Sequence, residues 1–498
     1  MNAEVTLRPG RATLADWRAI YRGAPLKLDP VSRADVEAGS AGLDAILAHD
    51  EPRRTTGNDE GPTVADLMNK SGEYLPAPLV RLVVALKLAS LAQGMSGARW
   101  ELVQALETCL AQDLLPAMPS QSDSHRFALA HIFGLLTGAG EAESGGVRGP
   151  ASKALRKAGY RPLTLSATEK TAILSGAQVG TAYALAGLFE AERVFQSGLV
   201  ASAISAQAGV GAPASIHPRI PILHRHPGEI EVAAALRMLV PTTEASAAPD
   251  RTLQLASADV RRAQPGMGAC LDLLRQAGET LQRETNAVTE QRLVIWQTEE
   301  IVDSVADVSS VALAADLIAI ALREIGALSE RRILALNGRA GRSKAGENGA
   351  ATAPSNMAAA FVAENRERAC AVRVKGDDAT ANRDGVRRLL PMAGTAALVI
   401  AIEILAAQAS NAEVADDAIG PLDKVLRFIR ETVPPSGGKG QVTAAGLATA
   451  ADLVRSGAIA AAPDLALPSL LPAPREAAPF DLGRAPSGNK AATRISSA

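Results

Sequence analysis

SATEKTAILSGAQVGTAYALAGLFEAERVFQSGLVASAISAQ, residues 166–207, is the stretch on which the fold turns. Ser166 and Glu169 have the spacing of a capping box, in which the serine side chain takes the N3 backbone N–H and the N3 carboxylate reaches back to the cap. Ala and Leu, the best helix formers, fill many of the positions from there to Gln207. The reading is one long helix from the capping box to about Gln207.

The same composition extends through the chain. Of 498 residues, 47% are hydrophobic but only 3% aromatic, so small aliphatic side chains supply the apolar surface. That predicts a mostly helical protein with close helix contacts. TLADWRAIY (13–21) reads as a helix capped by Thr13. Helical pattern runs from about Pro78 to Leu115, again from near Phe127, and then through 264–290, 304–337, 355–370 and 390–410. Polar or Gly-rich loops are expected at 51–63, 138–152 and 337–356, an irregular Pro- and His-rich stretch at 208–228, and a Pro/Ala/Ser tail after Leu470. VSSVALAADLIAIALREIG (308–326) and MAGTAALVIAIEILAAQ (392–408) approach the length of a membrane span. Asp316 and Glu403 inside them favour helices buried in a bundle.

A formal net charge of -2 gives no global pull toward nucleic acid or an anionic membrane. Cys109, Cys270 and Cys370 are far apart and lack metal spacing, so each is read as a buried thiol in a reducing cytoplasm. No secretory leader pattern is seen at the N-terminus. The Gly-rich stretch 138–152 lacks the Lys-Ser/Thr ending of a phosphate loop. Asp123, His125 and His131 fit no zinc spacing, and no metal is expected. His217, His224 and His226 are read as loop histidines satisfied by backbone. Arg331–Arg332 and Arg387–Arg388 are read as partners in intersubunit or i,i+4 ion pairs. No nucleophile-elbow spacing supports a Ser-His-Asp triad.

Several segments, in order, resemble the histidine and phenylalanine ammonia-lyase family: VTLRPGRATLADWRAIY (5–21), RLVVALKLASLAQGMSGAR (81–99), PLTLSATEKTAILSGAQVGTAYAL (162–185), RAQPGMGACLDLLRQA (262–277), ETNAVTEQRLVI (284–295), EIGALSERRI (324–333) and LPSL (467–470). The resemblance spans about residues 4–470. It implies an all-α, ammonia-lyase/aspartase-like fold: an N-terminal, mainly helical domain (1–205), a central bundle of long helices (206–470) and a tail (471–498). It also implies a tetramer whose sites mix residues of three subunits.

In that family an Ala-Ser-Gly segment cyclises and dehydrates to a methylidene-imidazolone, the electrophile that makes the amine a leaving group. The glycine is required because its amide must fold onto a carbonyl that a side chain would shield. A lid-loop tyrosine is the general base. Here PSQSDSHRFALAH (119–131) keeps the family's Ala-Leu-Ala-His end but contains no glycine. Ser122-Asp123-Ser124 stands nearest the triad, so the electrophile is not expected to form. Pro52 aligns with the base tyrosine. Ser71-Gly72 replaces Ser-His, and Ser175 replaces the asparagine of Leu-Asn-Gly. Asp259 replaces a tyrosine, and Arg383-Asp384 replace a Gln-Glu pair. Gln178 and the carboxylate-binding arginine, Arg262, are retained.

The expectation is therefore a lyase-family pseudoenzyme, cytoplasmic, assembling as a homotetramer or as a hetero-oligomer with an active paralogue, with an amino-acid-like small molecule as a possible ligand. The alternative is an electrophile-free lyase acting on an aromatic amino acid betaine. In that case Arg262 would hold the carboxylate, and Asp123, Asp259 or Asp384 would serve as base, given enough burial to raise its pKa. An ordinary histidine or aromatic ammonia-lyase is the third reading.

Overall fold

The computed structural model describes residues 3–49, 64, 68, 73–120, 125–208, 210, 219–240, 253–304, 308–343, 353–370, 385–410, 420–434 and 442–471, with the side chains of 49, 125, 253–263, 338–343 and 410 outside the description. It is predominantly helical, as the composition predicts.

The first half begins with a short parallel pair, β1 (Val5–Leu7) and β2 (Leu26–Leu28), bridged by α1 (Leu14–Tyr21). Thr13 caps α1 in a full capping box with Asp16. Next come α2 (Ser32–His49), α3 (Ala77–Leu91) and α4 (Trp100–Ala111). The helical stretch expected from Pro78 to Leu115 is thus two helices, interrupted at 92–99, where Gly94 and Gly97 have positive φ. β3 (Leu114–Pro116) precedes α5 (His125–Thr137). The segment read as a Gly-rich loop is in fact a hairpin, β4 (Glu141–Ser144) and β5 (Val147–Pro150), added antiparallel to β3. Gly145 and Gly146 form its two-residue turn at φ 58 and 77, the conformation that favours a Gly-Gly dipeptide there. α6 (Ala151–Lys157) leads to the capping box.

Ser166 and Glu169 bond reciprocally as the sequence predicts, but the helix they open is short. α7 (Ala167–Leu174) stops at Ser175, which is extended (ψ 164). Gly176 follows at φ +105, and α8 (Gln178–Gln207) then runs for 30 residues. The single long helix is therefore corrected to two. The physical reason lies in Ser175-Gly176: the Ser175 hydroxyl bonds back to Thr171 O at 2.8 Å, and only glycine is at ease at the next φ.

The stretch read as irregular, 208–228, contains α9 (Arg219–His224) and leads into α10 (Pro227–Leu239). α11 (Leu253–Thr285) follows, then a hairpin of β6 (Arg292–Ile295) and β7 (Glu300–Asp303). α12 (Ser309–Ser343) continues into the segment expected to be a loop from 337, and α13 (Ala353–Arg368) starts before the expected end of that loop. α14 (Leu389–Ser410), α15 (Pro421–Thr432), α16 (Ala444–Ser456) and α17 (Ala458–Ala461) complete the chain.

α8 and α12 each pack on α11 and α14 and on one another, and these four helices form the core of the bundle. α8 also packs on α3, which ties the bundle to the N-terminal helices. Among the described residues two helical stretches are long and apolar enough to cross a membrane, 167–207 and 385–409, and both are mostly buried inside the protein. In the bundle Glu403 of α14 meets Arg332 of α12 with both side chains fully buried, and Asp316 meets Arg388. One arginine of each doublet, Arg332 and Arg388, thus meets its acidic partner on another helix of the same chain and not at i,i+4. The LPSL segment lies against the bundle: Arg275 donates to Ser469 O at 2.8 Å, and Leu470 N donates to Glu192 at 2.9 Å. Cys109 and Cys270 are buried, and burial pushes both thiols up to about 12. Cys370 is exposed, which corrects the reading of a third buried thiol.

Candidate functional site

The turn between α7 and α8 is where the described residues bring the sequence-predicted positions together. Ser175 and Gln178 are both buried there. Three segments converge on them: α3, the α7–α8 turn, and the stretch after α11. Ser175 Oγ accepts from Gln291 N at 3.3 Å, and Ala177 N donates to Thr289 Oγ1 at 3.0 Å. Gln178 Nε2 donates to Thr289 Oγ1 and to Glu290 Oε1, each at 3.4 Å.

Beneath the turn sits Lys87, at 0% exposure in the middle of an apolar helix. Its ammonium donates to Ser175 O at 2.6 Å, to Ala172 O at 2.9 Å and to Glu290 Oε1 at 3.3 Å. Burial pushes its pKa below the ordinary lysine value, and Glu290 pulls it back up. The other Glu290 oxygen accepts from Ser90 Oγ at 2.8 Å. With all three ammonium protons engaged, Lys87 has no lone pair to offer as a base. It holds the turn in place.

Tyr183, one turn further along α8, carries Arg387 over its ring at 5.6 Å. Burial raises the phenol pKa and Arg387 lowers it, with a net rise. At neutral pH this tyrosine is a proton donor, not a base. His131, on α5, is buried, and burial pushes it down to about 4, so it is neutral. His224 is no backbone-satisfied loop histidine. It ends α9 and meets the Glu229 carboxylate at 2.9 Å. Among the described residues no group of His, Cys, Asp and Glu could hold a metal ion.

Pro52, Ser71, Ser122, Asp123, Ser124, Arg383 and Asp384 lie outside the described residues. Asp259 and Arg262 belong to α11 by backbone, three apart and hence on one helix face, with side chains outside the description. Sequence reasoning missed Lys87, Ser90, Thr289 and Glu290 as a cluster. The signal was present: one charged residue in LVVALKLASL must find a buried partner.

The sequence pattern of the aromatic amino acid lyase family matches residues 63–431, about three-quarters of the chain. The chain belongs to the aromatic amino acid lyase family. Its fold is shared with histidine ammonia-lyase from Trypanosoma cruzi (TM-score 0.79, 23% identity, 92% of this chain and 95% of that one). Tyrosine aminomutase from Streptomyces globisporus superposes at TM-score 0.80 with 22% identity, over 91% and 98% of the two chains. The ergothioneine-degrading enzyme ergothionase from Treponema denticola gives 0.81 with 18% identity, over 91% and 99%. Identities this low establish a common fold, the ammonia-lyase type expected from the sequence.

Proposed function

We propose that this lyase-family protein has lost the family's ammonia elimination and acts in assembly, ligand binding or regulation. One observation carries the reading: the loop 119–131 contains no glycine and no Ala-Ser-Gly. The residues present do not fit a methylidene-imidazolone, and no step is derived through one. Pro52 at the position of the base tyrosine supports the same reading, because loss of a positioned general base alone costs ~10²–10⁴ in rate. The residues around Ser175 support it too. Lys87 and Ser90 bond to Glu290, Lys87 also to backbone, and Thr289 accepts from Ala177 N and Gln178, which suits a structural turn better than a reacting group. A homotetramer, or a hetero-oligomer with an active paralogue, is the assembly proposed, since a chain with an intact frame can lend surfaces to sites it does not complete.

The second reading is an electrophile-free elimination from an aromatic amino acid betaine. Its trimethylammonium is already a good leaving group, so a base and a carboxylate clamp suffice. Arg262, retained in sequence, favours it, and the ergothioneine-degrading enzyme shares the fold.

The test is ultraviolet product formation at high protein concentration from histidine, phenylalanine and tyrosine, each beside its trimethylammonium betaine. No product from any of the six is the expected result. Product from the betaines alone selects the second reading. Product from the plain amino acids overturns both, and the intact mass would then show the loss of two waters that cyclisation requires.

A further inference from the structure

β6 and β7 form a two-stranded sheet of their own. The register pairs Arg292 with Asp303, Leu293 with Val302, Val294 with Ile301 and Ile295 with Glu300. Antiparallel partners alternate between pairs that exchange backbone hydrogen bonds and pairs whose N–H and C=O point away from each other. Ser304 N donates to Gln291 O at 2.7 Å, so Leu293–Val302 and Ile295–Glu300 are the exchanging pairs. Val294 then points outward from β6, and its N–H donates to Met95 O at 2.8 Å. On β7 the outward residues are Ile301 and Asp303, and among the described residues no backbone group meets their N–H or C=O. All four residues of β7 are exposed, Ile301 at 36% and Val302 at 40%. Ile301 and Asp303 share one face of the strand, Glu300 and Val302 the other.

An open edge with an apolar side chain on each face is a template for one more strand. Its charge selects the occupant. Within 292–303 the charged residues are Glu299, Glu300 and Asp303 against Arg292, so a second copy of the same strand would bring acid against acid. A basic extended segment fits, and this chain carries one. After Pro486 the sequence SGNKAATRISSA has no proline to interrupt a ladder and no acidic residue. In a strand, Lys490 and Arg494 would fall on one face and Thr493 and Ile495 on the other. The distance is within reach. Leu470 is fastened to Glu192, and Glu192 stands about four turns of α8, or about 21 Å, from Gln178. Gln178 bonds Glu290, two residues ahead of β6. Residues 472–489 would cover up to about 55 Å when extended. We propose that residues 490–496 dock on the outer edge of β7 as a third strand. A short ladder is weak between separate molecules, but the tether holds the segment at an effective concentration on the order of millimolar. Docking ties the segment after the LPSL anchor to the hairpin that follows Thr289 and Glu290. The inference is independent of whether any elimination chemistry survives.

The experiment compares the full chain with full-length Arg494→Glu and Glu300→Lys by hydrogen exchange resolved to single amides, at several protein concentrations. The Ile301 and Asp303 amides are expected to exchange about fivefold or more slowly in the wild type than in either variant, at a rate independent of protein concentration. A synthetic peptide of residues 487–498, added at millimolar concentration to Arg494→Glu, is expected to restore the slow exchange. The Val302 amide, which faces β6, reports whether the hairpin itself is intact. Should Glu300→Lys loosen it, Arg494→Glu carries the comparison. Fast exchange at Ile301 and Asp303 in the wild type would overturn the proposal, as would slow exchange that Arg494→Glu leaves unchanged. Protection that grows with protein concentration would also overturn it, by placing a second copy at the edge.

Discussion

Arg332 and Glu403 meet deep between α12 and α14, while Lys87 and Glu290 meet between α3 and the segment after α11, and all four side chains are essentially unexposed. In the bundle the pair is bidentate, with Nε–Oε1 at 2.5 Å and Nη2–Oε2 at 2.9 Å. Ser205 and Ser329 add hydroxyl donors at 2.7 and 2.6 Å, so one carboxylate receives four hydrogen bonds. At the candidate site the lysine–glutamate contact is looser, 3.3 Å, and the shortest lysine bonds go to the backbone carbonyls of Ser175 and Ala172. The bundle pair fastens helix to helix. The site pair fastens a turn. Each region leaves one buried atom over, Arg332 Nη1 in the bundle and Gln178 Oε1 at the turn, but one is a donor and the other an acceptor.

The largest effect should come from breaking the bundle pair. Glu403→Leu leaves the Arg332 guanidinium buried without a counter-charge, which costs about 3–5 kcal/mol. Denaturant unfolding would report it as a lower midpoint at unchanged slope. Arg332→Met combined with Glu403→Leu should recover much of the loss, because removing both charges also removes their desolvation cost. If the double variant is no better than the single, the pair contributes more than its mutual neutralisation.

Lys87→Met should cost somewhat less, about 3 kcal/mol. Glu290 keeps Ser90 and Gln178 as donors and can take up a proton, while two carbonyls lose a partner. A loss exceeding that of Glu403→Leu would reverse the comparison and make the turn, not the bundle, the more costly region to disturb. Gly176→Ala probes the same turn from the backbone. A Cβ there would stand 2.5 Å from Gln178 Oε1 at φ +105. The strain should cost about 1–3 kcal/mol. Hydrogen exchange at Ala177 and Gln178 would show whether the start of α8 loosens while the rest of that helix stays protected.

The two regions also differ in how far the sequence reveals them. The bundle helices are legible because their apolar runs are long and carry few interruptions, and Asp316 and Glu403 within them argue for a bundle over a membrane. What periodicity does not carry is a one-residue change of direction. Ser175 and Gly176 are ordinary helix-interior residues by hydropathy, so the break between α7 and α8 shows only in the backbone. The hairpin at 141–150 is short, and Ala142 is the one buried residue of its two strands, too little to give alternation. At the site, Gln178 and Ser175 are reached through motif likeness. Lys87 and Glu290 are 203 residues apart in sequence, and no local pattern couples them.

The smallest expected effect sharpens the comparison with a third pair, one that is only half buried. Arg99 reaches Glu169 with Nη2–Oε2 at 2.8 Å, but the arginine is 50% exposed against 1% for the glutamate. Burial alone would raise the Glu169 pKa, yet the Arg99 bonds and the Ser166 N–H outweigh it and hold the carboxyl below the ordinary glutamate value. A carboxyl depressed in the folded state stabilises the protein above the unfolded-state pKa, and that stabilisation is lost as pH falls through the folded-state pKa. Glu169→Gln retains the capping-box geometry, since glutamine serves at N3 as glutamate does, and removes only the charge. With Arg99 screened by solvent the change should be about 0.5–1 kcal/mol at neutral pH. Unfolding curves taken from about pH 7 to about pH 3 should bring the two proteins together at the acid end, the wild type losing its advantage below the ordinary carboxylate range. A gap that persists at the acid end would mean that the cap geometry, not the charge, supplies the stability. Glu169 would then belong with the backbone devices that bound α7, like Ser175 and Gly176 at its other end, and not with the ion pairs.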